Sequence, residues 1–283
     1  MAARRAGGPS GRTLAYRIIP KEPHLKILIL SPHRDDAAFS LSIAITNWLA
    51  TRHTVTILNV FTRSRHAPYS DAGFVHENDE LSYVSAMRLR EDEHFVRRIT
   101  EKLPKGLKSN LHMVDLNLKD APIRLRIPLE DLNDTPVNPA DASIEKIRKA
   151  LTKQSEAGGM EAIVLPAAIG DHVDHLTVRE AAQSFATNIP SAFYEDLPYA
   201  ASYPSAATDL EALREAAASR NEPLAPVLYQ IESAIEYKRR LVLCYASQID
   251  DEAGTLISEF AKRYDGERLW ANRLWLEALT APR

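Results

Sequence analysis

Short β-rich runs alternate with longer segments of helical spacing along most of this chain, and that alternation limits the folds open to it. The runs LKILIL (25–30), TVTILNVF (54–61), LHMVDLNL (111–118), EAIVLP (161–166) and SAFYED (191–196) read as strands. Between them, segments 37–50, 80–103, 142–156 and 176–188 carry helical spacing. The first, second and fourth runs are nearly all apolar, as central strands covered on both faces are. The order β-α-β-α-β-α-β-α-β predicts a right-handed, mostly parallel sheet with helices on both faces, a Rossmann-like three-layer α/β/α sandwich.

The connections are unequal. Segments 62–79 and 118–141 are too long for simple joints, and loops of that length usually carry function or are disordered. Pro and Asp recur in 118–141, which reads as an extended surface excursion. Beyond residue 200, helical patterns run over 207–221 and 232–248, and ERLWANRLWLEAL follows at 267–279. No repeat and no composition shift marks a second unit, so one domain is expected over 23–283, after a flexible lead-in at 1–22. That lead-in is basic but lacks the apolar segment of a signal peptide. A net charge of -3 builds no basic field for nucleic acid, and no apolar run approaches the ~20 residues of a membrane span. The single cysteine, Cys244 in LVLCYA, excludes an intramolecular disulfide and reads as core packing. A cytoplasmic enzyme or binding protein is expected, of unspecified oligomeric state.

In doubly wound sheets, ligands bind outside the carboxyl ends of the strands. Three polar groups fall at such ends: His33, Asp35 and Asp36 after the first strand, His172, Asp174 and His175 after the fourth, and EDLPY (195–199) after the fifth. Imidazoles and carboxylates gathered from distant sequence suggest a metal. His33 and Asp36 are three residues apart across a tight turn, so both can face one point. A histidine from DHVDH would complete two imidazoles and one carboxylate, leaving a coordination position open as catalytic zinc sites do. Either His172 or His175 could supply it, leaving the other free for proton transfer or charge stabilisation. Alone, Asp35-Asp36 would be an ordinary helix cap with a solvated neighbour. His53, His66, His76, His94 and His112 lack comparable context, and HEND (76–79) reads as a solvated loop. A nucleotide-binding reading fails because SPHRDDA, the turn after the first strand, contains no glycine.

SPHRDDAAFS resembles the Pro-His-x-Asp-Asp signature of the LmbE/PIG-L family of zinc-dependent N-deacetylases, and DHVDH resembles that family's His-x-Asp-His motif. Supporting matches follow in order over about residues 25–250: NVFTRSRHAPYS, RLRED, FYEDLPYA and KRRLVLCYASQ. Two departures are Ala37, where many members are acidic, and Arg34 in the variable position. The resemblance implies one Zn2+ per chain on His33, Asp36 and His175. It implies Asp35 as general base, His172 as the residue assisting the transition state, and Asp174 as the group orienting that histidine. It further implies hydrolysis of an N-acylated amino sugar or glycoside, a small-molecule partner. Arg63, Arg88 and Tyr199 are candidate substrate contacts. The competing readings are another metal-dependent hydrolase, such as a phosphoesterase, and an inactive binding protein of the same fold.

Overall fold

Four consecutive apolar residues, Ile27–Leu30, need cover on both sides, and each is at most 1% exposed. They form the centre of β1 (Lys26–Ser31) in the computed structural model, which describes residues 24–70, 73 and 76–280. The expected flexible segment 1–22 lies outside the described residues. β1 pairs in parallel with β2 (Thr54–Asn59) on one side and β4 (Ala162–Pro166) on the other. β3 (Leu111–Asp115) continues the parallel sheet beyond β2, and β5 (Ser191–Tyr194) continues it beyond β4. The α/β sandwich with a mostly parallel sheet is therefore the architecture of this chain.

From β1 the chain moves outward to β2 and β3, then returns to the opposite side of β1 to add β4 and β5. The crevice between β1 and β4 is thus the topological switch point, the place where such sheets bind ligands. On one face α1 (Asp36–Ala50) contacts α2 (Glu77–Thr100). On the other, α3 (Ala142–Glu156) packs on α4 (Val173–Ala186). Further helices follow as α5 (Ala206–Ser219), α6 (Ala234–Val242) and α7 (Asp251–Phe260), with α6 packed against both α1 and α7. This explains why α1 is buried almost all round rather than along a single stripe. Among the described residues, no helix is long and apolar enough to cross a membrane.

Several local expectations give way to tertiary pairing. Segment 267–279 divides between two states: Gly266–Ala271 is a strand, β7, followed by the short helix Arg273–Trp275 and a wide turn at Leu276–Thr280. β7 runs antiparallel to both β5 and β6 (Ala225–Gln230), a strand that local pattern did not reveal. Pairing with a preformed sheet overrides a short pattern that suits either state. HEND is solvated as expected, but Glu77–Asp79 form the first turn of α2 rather than a loop. Segment 118–141 is a surface excursion, as expected, but not an extended one. It contains a helical turn at Ala121–Arg124 and another at Leu129–Asp131, and it buries Ala121 and Leu132 against Val173. Cys244 is buried, as expected.

One buried carboxylate ties β7 to both α1 and α6. Glu267 of β7 accepts from the backbone N–H groups of Ile43 (3.0 Å) and Ala44 (2.8 Å) in α1. Lys238 of α6, fully buried, pairs with the same carboxylate. Removing the cation alone would leave that carboxylate buried without its counter-charge, which costs about 3–5 kcal/mol. Lys238→Met should therefore lower the unfolding free energy by about that amount in urea titrations. A loss well under 1 kcal/mol, the scale of an exposed pair, would show that this contact does not hold α6 to β7.

Candidate metal centre

The turn after β1 is shaped by its own side chains. Ser31 Oγ donates to the His33 carbonyl and accepts from the Ala37 N–H at 3.1 Å, closing the chain into the start of α1. Asp36 Oδ2 accepts from the His33 N–H at 2.6 Å, which folds that carboxylate back beneath the imidazole. Asp35 occupies the N-cap position, yet its carboxylate makes no capping bond. It turns instead to Arg88 of α2, whose Nη2 donates to Oδ1 at 2.7 Å. The ordinary reading of the acidic pair as a helix cap therefore fails at the side chain.

The switch point brings the second motif against the first. His33 Nδ1 lies 3.4 Å from Asp36 Oδ2, and His175 Nε2 lies 3.4 Å from Asp36 Oδ1. Two imidazole nitrogens thus face one carboxylate from opposite strands. Each ring is fixed from behind by another carboxylate: His33 Nε2 meets Asp174 Oδ2 at 3.0 Å, and His175 Nδ1 meets Asp196 Oδ1 at 2.7 Å. Histidines that ligate metals are held this way, with the distal N–H donated to a carboxylate so that the other nitrogen presents its lone pair. His175 Nε2 is buried and has no hydrogen-bond partner among the described residues. An orphaned buried nitrogen beside an open carboxylate oxygen is what a divalent cation would satisfy.

Two groupings of potential donors occur here, His33 with Asp36 and His175, and His33 with His172 and Asp174. Hydrogen bonding separates them. The Asp174 oxygens are already engaged by His33, by the Ala121 N–H at 2.9 Å and by Arg124 Nη1 at 2.7 Å. His172 Nδ1 accepts from the Asp174 N–H at 3.2 Å. The first set keeps its facing lone pairs free, and it is the one that fits a divalent metal.

The charges agree with that choice. Burial works against a charged His33, but hydrogen bonds to Asp174 and then Asp36 outweigh it and hold the imidazole up to about 10. Asp36 stays below the usual carboxylate range despite burial, held there first by the charge of His175 and then by His33. Asp174 is likewise held down against burial, chiefly by its bond to His33. Burial, reinforced by the charges of His33 and His175, pushes His172 down to about 3. The pocket thus favours positive charge at its centre, carried either by protons on His33 and His175 or by a cation that takes their place, and burial keeps His172 neutral. With Nδ1 accepting, its proton sits on Nε2.

Most of the residues expected at the site meet here, in partnerships that differ from expectation. Asp174 does not orient His172 through its carboxylate. That carboxylate grips His33, and only its backbone N–H touches His172. Arg88, expected to contact substrate, is buried and committed to Asp35. Tyr199 stands beside the centre, its ring 5.7 Å from His175 and 6.2 Å from His172. It also covers Gly170, where φ is +83° and a Cβ would come within 3.1–3.2 Å of the tyrosine ring and its Cβ, so only glycine fits there. Arg63 is exposed and lines a separate cavity of ≈ 340 Å³ with Thr62, Ser85 and Asn117. Asp196 was missed as an individual residue, although EDLPY already placed acidic side chains at the end of the fifth strand. Arg124 had no local signal at all.

Arg34 explains the variable position of the first motif. Its guanidinium pairs with Asp92 of α2 and with Asp115 at the end of β3. It is a strut under the turn, with no contact among these pairs to the histidine cluster. Burial raises Asp92 to about 7 even against the neighbouring Arg34 charge. In Arg34→Met the carboxyl should rise further. A raised acid pKa removes stability as pH climbs toward the folded-state value, so wild type and variant lose alike below about 7 and only the variant keeps losing above it. The stability deficit of Arg34→Met should therefore widen between roughly pH 6 and 9 in denaturant titrations. A deficit independent of pH would show that Asp92 is not the group left uncompensated.

The fold and this cluster define an α/β protein with a metal-type His/Asp centre at the sheet's switch point. Over 237 residues the chain is 32% identical to 2'-N-acetylparomamine deacetylase of Streptomyces fradiae, a match covering 80% of this chain and 75% of that protein. It therefore belongs to the deacetylase family that includes that enzyme. No family model matches the chain. Among solved structures, the zinc-inhibited form of teicoplanin deacetylase aligns with a TM-score of 0.59 at 21% identity, over 87% of this chain and 97% of that one. N,N'-diacetylchitobiose deacetylase from Pyrococcus horikoshii aligns with a TM-score of 0.55 at 16% identity, over 90% and 87%. At these identities the two structures speak for the fold.

Proposed function

We propose that this chain is a zinc-dependent N-deacetylase of the LmbE/PIG-L type, hydrolysing the N-acetyl group of an amino sugar within a glycoside, with residues 23–283 as one catalytic domain. The observation that carries the reading is the pair of imidazoles facing Asp36, each backed by its own carboxylate, beside an Asp35 that is not spent on capping. His33, Asp36 and His175 would hold the metal. Bound there, zinc would supply Lewis acidity, polarising the amide carbonyl and making water acidic enough to lose a proton near neutral pH.

The chain's own residues supply the proton transfers. Asp35, fixed by Arg88, accepts a proton from the attacking water as the new C–O bond forms. Neutral His172, with its proton on Nε2, donates a hydrogen bond to the carbonyl oxygen as charge builds on it. Protonated Asp35 then returns its proton to the nitrogen as the C–N bond breaks, leaving a carboxylate and a free amine. Tyr199, beside the centre, would contact the sugar, while Arg63 lies at a separate cavity and Arg88 acts on Asp35.

The test combines metal analysis with amine release from 2'-N-acetylparomamine. Wild-type protein should hold about one zinc per chain and release amine and acetate in equal amounts. Asp35→Asn should keep its zinc while kcat falls roughly 10²–10⁴-fold. His172→Ala should also keep zinc and lose on the order of 10²-fold in kcat, whereas His175→Ala should lose the metal itself. Loss of zinc in Asp35→Asn would reassign that residue as a ligand. Hydrolysis of phosphate esters without amine release, or tight zinc with no turnover, would replace the deacetylase by a phosphoesterase or a binding protein.

A further inference from the structure

We infer that Arg124, in the excursion 118–141, is a positioning residue of the metal centre, locking the Asp174 carboxylate and through it the ring of His33. The inference rests on the metal reading above and assigns a role to a segment that no motif covers.

A continuous line of charged hydrogen bonds connects the excursion to the ligand. Asp141 Oδ1 caps α3 by accepting from the Ser143 N–H at 2.8 Å, and its Oδ2 accepts from Arg124 Nε at 2.7 Å. Arg124 Nη1 reaches Asp174 Oδ1 at 2.7 Å, and Asp174 Oδ2 meets His33 Nε2 at 3.0 Å. The guanidinium is held flat on one side by the ring of Phe61, 4.4 Å from its centroid, and Phe61 in turn neighbours His33. The fork therefore spans two carboxylates and leaves Asp174 little freedom to rotate.

The same excursion clamps the loop that carries the second motif. Ala121 N–H binds Asp174, the Leu132 carbonyl accepts from the Val173 N–H at 2.9 Å, and the Asn133 side chain bonds the Gly170 carbonyl. That loop needs holding, because Ala168 and Asp171 both have positive φ, at 58° and 55°.

Charge and positioning predict opposite signs on removal. A guanidinium acting only through its charge repels a nearby cation, so deleting it should tighten metal binding. A guanidinium that positions the ring should loosen binding when deleted, by about 10–100-fold, the scale for groups behind metal ligands. Zinc affinity of the full chain, measured by chelator competition, should therefore weaken in Arg124→Met. It should also weaken in Arg124→Lys, which keeps the charge and loses the fork, and which compensates Asp174 should the methionine variant fail to fold. In an Asp174→Asn background either change should add little, since Arg124 acts through Asp174. Unchanged or tighter zinc binding in both variants overturns the inference, as does full additivity with Asp174→Asn. Wild-type protein that binds no zinc would sink the metal reading and this inference with it, whereas normal wild-type binding with indifferent variants sinks this inference alone.

Discussion

Three carboxylates, Asp36, Asp174 and Asp196, converge out of water around two imidazoles, and the surrounding structure is organised by what that negative charge requires. Burying ions costs several kcal/mol each unless hydrogen bonds and opposite charge compensate them. Here compensation comes from His33, His175, Arg124 and backbone N–H groups, and the His175 nitrogen that faces Asp36 is left without a hydrogen bond among the described residues. A site built to stabilise positive charge, with one lone pair unsatisfied, is a site for a cation.

The sheet topology decides where that charge can be assembled. β1 and β4 are neighbours although more than a hundred residues separate them, so the turns at their carboxyl ends meet. The Asp35–Arg88 pair then ties the centre to α2, and the Arg34 pairs tie the same turn to α2 and β3. The first motif is thus a turn whose side chains point two ways. His33 and Asp36 face the cluster, and Arg34 anchors the turn on the other side. On the far side, the excursion before α3 closes over the second motif. The segment that looked like surface became part of the centre because Asp174, with no exposure of its own, needs partners from outside its helix.

Roles within the site were only partly legible in sequence. His33, Asp36, Asp174 and His175 sit in short motifs whose spacing betrays them. The partner of each does not. Asp174 was expected to serve the histidine two residues away, yet its carboxylate serves His33 across 141 positions of chain. Neighbours in sequence within the first turn of a helix project in different directions, so proximity along the chain was a poor guide to which imidazole the carboxylate would meet. The neutral state of His172 was equally hidden, since it depends on burial and on charges contributed by the other strand.

From sequence alone, the order of strands and helices, the apolar centre of the sheet and the two clusters of ligand-type residues at strand ends could all be read. Periodicity and short-range spacing are local, and local signals survive in a linear string. What only the tertiary structure decided were the antiparallel strands β6 and β7, the docking of 118–141 onto the centre, and the pairings Asp174–His33, Asp196–His175, Asp35–Arg88 and Arg124–Asp174. Each is a contact between residues distant in the chain, selected by the need to satisfy buried charge or an open sheet edge, and neither need exists until the sheet has formed.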